Sequence, residues 1–157
     1  MRRLTFAVSA VLFLSCGEKA AGRLQPGDSL QAELVVNQRA ALTPELREPM
    51  RPTSDSLRVP LRIDSVRGDS IFGTWYADFR TLGTYGDPER RARPFKLAGT
   101  QRSDSVIVVL NPSWTDQDVW LRGQWNGRVL RGRWETSYAP HVAGTFGARI
   151  ARQSNDR

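Results

Sequence analysis

The stretch that most restricts the fold of this chain is residues 118–135, DVWLRGQW-NG-RVLRGRWE. Two runs of alternating polar and apolar residues flank Asn126-Gly127, a dipeptide suited to a two-residue type I′ turn, whose central positions both need positive φ. Such a turn sets Trp125 opposite Arg128, Arg122 opposite Arg131 and Trp120 opposite Arg133. One face then collects Val119, Leu121, Gly123, Trp125, Leu130, Gly132 and Trp134. The other collects Trp120, Arg122, Gln124, Val129, Arg131 and Arg133. A slip of one residue would send every apolar side chain to the wrong face, so the pattern specifies an antiparallel hairpin with one buried side.

The same alternation recurs through the rest of the chain. Residues 57–79 read as a hairpin around a three-residue loop, Arg67 to Asp69. Leu57, Val59, Leu61 and Ile63 then share a face with Ile71, Gly73, Trp75 and Ala77. A third hairpin pairs residues 95–101 with 105–110 around Ser103-Asp104, and residues 141–150 alternate as a last strand. Before them, residues 30–37 form a first strand, with Leu30, Ala32 and Leu34 in phase. Thr43-Pro44-Glu45 supplies a cap, a first-turn proline and an acid for a short helix over 44–48. The expected fold is all-β: eight antiparallel strands in an up-and-down meander, with short connections.

Gly-x-aromatic recurs as Gly73-Thr74-Trp75, Gly83-Thr84-Tyr85, Gly123-Gln124-Trp125, Gly132-Arg133-Trp134 and Gly144-Thr145-Phe146. Residues two apart share a strand face, so each match sets an absent side chain beside a large one. A strongly coiled sheet uses this device, and small closed barrels alternate small and large residues inside. With eight sequential strands, residues 28–151 resemble the calycin group, the lipocalins and avidins. The resemblance implies a small closed barrel; it is architectural and carries over no binding residue. A rolled β-sandwich is the alternative.

The N-terminus carries an address. Met1-Arg2-Arg3 precedes an apolar run over residues 4–14, whose eleven residues would rise about 16 Å as a helix, roughly half a bilayer core. The run is too short to span and reads as an export signal helix. Phe13-Leu14-Ser15-Cys16 resembles a bacterial lipobox, which implies cleavage before Cys16 and its lipidation. Acyl chains at Cys16 would hold the protein on a membrane, and Gly17 in place of an aspartate points to the outer membrane rather than the inner. The expected organisation is a signal peptide over 1–15, a lipidated N-terminus and linker over 16–27, a barrel over 28–151 and a tail over 152–157. Loss of residues 1–15 lowers the net charge from +7 to +5. A mildly basic, exported domain argues against a nucleic-acid partner.

Chemistry is sparsely represented. With one histidine, His141, and one cysteine, neither a multi-histidine metal site nor an internal disulfide is available. No nucleophile elbow, phosphate loop or His-Glu-x-x-His pattern occurs. Asp64, Asp78, Asp116, Asp118 and Glu135 are carboxylates near turns, so neither an enzyme nor a cofactor is expected. Arg67-Gly68-Asp69-Ser70 matches the integrin-recognition tetrapeptide, but Gly-Asp is also what a tight turn requires. Residues 83–94 form a long loop carrying Arg90, Arg91 and Arg93.

Two functions follow. In the first, a membrane-tethered barrel holds a small apolar or amphipathic ligand between Trp75, Trp125, Trp134 and Phe146. In the second, the interior is a filled core, and Trp120, Arg122, Arg131 and Arg133 meet an anionic component of the cell envelope. Interior volume separates them.

Overall fold

A computed structural model describes residues 22–41, 44–47, 51–83, 94–112, 118–138 and 140–151. The strands are β1 (Ser29–Arg39), β2 (Ser56–Arg67), β3 (Ser70–Trp75), β4 (Phe95–Arg102), β5 (Ser105–Leu110), β6 (Val119–Trp125), β7 (Val129–Thr136) and β8 (Val142–Ile150). Each pairs antiparallel with the next, and β1 pairs with β8 from Leu30↔Ile150 to Arg39↔Val142, closing the barrel. Closure decides against the rolled sandwich. The barrel is compatible with a lipocalin-like fold. The expected leader, Cys16, Thr43, Asp116 and nearly all of the 83–94 loop lie outside the described residues.

The inward phase of each strand supplies the core. Leu30, Ala32 and Leu34 of β1, Val59, Leu61 and Ile63 of β2, and Val106, Val108 and Leu110 of β5 are all buried. Ile150, expected inward, stands at the barrel's end and is 40% exposed. A short helix, α1 (Pro44–Arg47), leads from β1 toward β2.

Two registers differ from expectation. In the β6–β7 hairpin Trp125 pairs with Leu130 and Val119 with Thr136, two residues beyond the type I′ prediction. Only Gly127 takes positive φ; Asn126 does not. Instead the Asn126 Oδ1 accepts from the backbone N–H of Arg128 (3.0 Å) and of Val129 (2.8 Å). The Asn126 N–H donates to the Val129 carbonyl at 3.2 Å. A side chain that mimics a backbone turn thus lengthens the loop. The shift is even, so both faces survive it.

In β2–β3 the turn has two residues, with Arg67 opposite Ser70, and a bulge near Asp64 restores the expected pairing from Ile63↔Gly73 onward. A second bulge lies in β1, between Val36 and Gln38. The strand expected to run to Phe79 ends at Trp75. Residues Phe79–Leu82 form a 3₁₀ helix, with Asp78 accepting from the Arg80 N–H and Gly83 closing it at φ 76°.

Both ends of the barrel are covered. At the end holding the short hairpins, Gly22 to Gly27, expected as linker, lie across the opening. Leu24 is 2% exposed, and its N–H donates to the Gln101 side-chain oxygen at 3.0 Å. The Arg23 guanidinium donates to the carbonyls of Gly68 and Gln101 and pairs with Asp69 at 2.8 Å. At the other end the 3₁₀ helix inserts Phe79 and Leu82, and Arg39 donates to the carbonyls of Leu82 and Ser54.

Candidate anion-binding face and barrel interior

The four residues expected to line an interior ligand site all point inward. Trp75, Trp125, Trp134 and Phe146 are each at most 5% exposed. Their surroundings are side chains and backbone. Trp75 stacks on Phe95 with centroids 5.0 Å apart and meets Phe79 edge-on at 5.4 Å; Phe79 in turn lies 6.4 Å from Trp134. Offset and edge-on pairs at these separations are favourable ring packing.

Every indole N–H of this set already has an acceptor. Trp75 donates to the Lys96 carbonyl at 3.1 Å, Trp125 to Gly22 at 2.5 Å and Trp134 to Val35 at 3.0 Å. The buried polar side chains are likewise satisfied. Gln101 serves Leu24 and Ser103, and the Thr136 hydroxyl accepts from the Val142 N–H at 3.0 Å. Among the described residues no buried side-chain nitrogen or oxygen lacks a partner.

The glycine–aromatic pattern works across strands rather than along them. A Cβ on Gly144 would stand 1.8 Å from the Val35 carbonyl oxygen and 2.9 Å from the Trp134 indole nitrogen. Trp134 is the β7 residue paired with Gly144. Its ring therefore closes the gap left on the neighbouring strand.

The outer face of β6, β7 and β8 is different in kind. With the register as found, Arg122 stands opposite Arg133, Gln124 opposite Arg131, and Trp120 opposite Glu135. The expected Trp120–Arg133 contact is replaced by one within β6, where the Arg122 guanidinium carbon lies 4.8 Å from the Trp120 ring centroid. Trp120 is half-buried, and its N–H donates to Asp118 at 3.1 Å. Arg122 also pairs with Glu135, which offsets the like charge facing it.

Arg122, Arg131 and Arg133 line one open groove of about 830 Å³, together with Gln124, His141 and Thr145. Arg131 and Arg133 make no ion pair among the described residues. The His141 Nδ1 lies 2.8 Å from the Thr136 carbonyl and so carries the proton, leaving Nε2 for a further contact. Chemically the groove offers three guanidinium forks and several neutral donors against one carboxylate. That is the donor set for a carboxylate or phosphate.

No protein-family model and no curated protein matches this chain. The site alone carries the functional argument.

The remaining candidates are dispersed. Asp69 of the Arg-Gly-Asp-Ser turn is held by Arg23 and lies 3.6 Å from Arg102. Asp64, Asp78 and Asp118 hold Arg62, Arg80 and Trp120 respectively, on separate elements. No group of three His, Cys, Asp or Glu suited to a metal occurs among the described residues. The sequence reading missed His141 and Thr145 as groove residues. The β7–β8 register sets Thr145 opposite Arg133, and His141, just before β8, is held at the Thr136 carbonyl; alternation alone shows neither.

Proposed function

We propose that this protein is an exported, lipid-anchored β-barrel scaffold that meets an anionic component of the cell envelope on its outer face. The observation that carries this reading is the convergence of Arg122, Arg131 and Arg133 on one open groove with a single paired carboxylate, Glu135. Guanidinium groups left free of internal partners are available to a bidentate anion. The ring contacts and the acceptors held by Trp75, Trp125 and Trp134 favour a filled core over an interior ligand site.

In this reading the lipobox-like leader directs export, and acylated Cys16 tethers the barrel at the outer membrane. The six links from Cys16 to Gly22 reach at most about 22 Å, so the hairpin end would lie near the bilayer. Replacing Arg122 and Arg131 with Gln should release the protein from purified anionic cell-wall polymer at moderate salt; unchanged retention sinks the reading. Cys16→Ser should move the protein out of the membrane fraction. Native mass spectrometry that finds a bound small apolar molecule would favour the interior instead.

A further inference from the structure

Resting on that reading, we infer that the arginine groove is one half of a longer track, and that its ligand is a linear acidic polysaccharide. A second open groove, of about 480 Å³, crosses β7, β8, β1 and β2, and it shares Arg131 and Thr145 with the first. It adds Arg58 and Arg149, neither of which makes an ion pair among the described residues, and Gln31. Its one carboxylate, Glu33, stands across from Arg58 in the β1–β2 register. From Arg122 on β6 to Arg58 on β2 the track spans four strand spacings, on the order of 20 Å.

The floor supplies an independent observation. Gly147 points outward between Arg131 and Glu33 in the registers of β8 with its neighbours. Its φ is ordinary, and a Cβ there would meet no atom within 4 Å. Gly132 and Gly144 have no room for a side chain, whereas Gly147 has room and lacks one. A strand glycine without a steric reason weakens the sheet, and close approach of a ligand to the backbone is one reason for such a glycine. Gly147 lies on the floor of the second groove, paired with Arg131, which both grooves share.

The lining selects the polymer. Side-chain amides and a hydroxyl (Gln124, Thr145, Gln31) stand between the guanidinium groups, matching a chain with both hydroxyls and carboxylates. A single-stranded nucleic acid would call for exposed aromatic platforms along the track. The aromatic residues lining it, Trp134 and Phe146, are buried on the inner face, and the outward Trp120 stands at one end only, against Arg122.

The test uses the full chain in neutral detergent, with a galacturonate trimer and dodecamer as probes. Single-stranded DNA and vesicles containing anionic phospholipid serve as competitors. The dodecamer should bind at least tenfold more tightly than the trimer. Arg58→Gln with Arg149→Gln should remove that advantage and leave trimer affinity unchanged. Gly147→Val should do the same without lowering thermal stability. Dodecamer binding that ignores these three changes overturns the track and leaves the first groove standing. Failure of both probes to bind overturns the track and, with it, the anion-binding face. Tighter binding of DNA or vesicles than of the dodecamer overturns the choice of polysaccharide.

Discussion

At Gly144 and Gly132 the barrel tolerates no side chain, because a Cβ would lie 1.8 Å and 1.9 Å from carbonyl oxygens of the neighbouring strands. Backbone cannot yield as a flexible side chain can. Gly144→Ala should therefore cost about 3 kcal/mol or more, at the upper end of overpacking, measured by urea unfolding. It should also disturb the near-ultraviolet signal of Trp134, whose nitrogen lies beside that glycine. A different residue, Asp78, gives the fold a pH dependence. The side-chain hydrogen bond from Arg80 holds its carboxyl below the ordinary value of 3.8, opposed in part by desolvation and aided by the Arg80 backbone N–H and charge. A carboxyl depressed in the folded state stabilises fully above 3.8, and that contribution is lost as pH falls through the lowered folded value. Asp78→Asn should lower the melting temperature near neutrality, and the gap to the parent should close in strong acid. Side-chain exposure of 41% keeps the effect small.

Alternation made the strands legible, since period-two patterning reports which face is buried, and eight strands in meander order follow from it. Turn geometry was less legible. The β6–β7 loop depends on whether the Asn126 side chain or its backbone makes the turn, and dipeptide preference does not separate the two. Bulges at Asp64 and beside Val36 leave no periodic trace, because one extra residue only blurs the phase. The two barrel caps were missed for a related reason. Leu24 is a single apolar residue among polar ones and Phe79 reads as the end of a strand, and only the open ends of a closed barrel give them somewhere to go. The N-terminal cap makes its own prediction. Leu24→Ala should cost about 2–5 kcal/mol, as for other buried leucines. Amide exchange should show protection lost first at Gly27, whose N–H donates to the Ile63 carbonyl at 2.8 Å. Equal protection in variant and parent would mean that the polar contacts of Arg23, Gly22 and the Leu24 N–H hold the cap without the leucine side chain. The anion-binding face was half legible: Arg122, Arg131 and Arg133 were placed on one side from the sequence, but their neighbours on and before β8 were not.

The whole molecule is organised as a ring with a polarity. Short hairpin turns, the Gly22–Gly27 cap and the end of β8 share one rim, and the connections around α1 and the 3₁₀ helix form the other. A protein shortened to end at residue 141 lacks β8 and leaves both β1 and β7 unpaired on one side. It should lose cooperative unfolding and self-associate, monitored by circular dichroism and light scattering, since open edges recruit other strands. The seam between Leu30 and Ile150 has a further consequence in time rather than in space. Pairing the first strand with the last gives the chain a high contact order, so folding should take milliseconds to seconds, slowly for its size. While the chain is being synthesised, β1 has no partner on its outer side until the final strand emerges. A ribosome still short of β8 carries a polypeptide that cannot yet close, and a chain held open in this way is in a state fit to be threaded through a narrow pore.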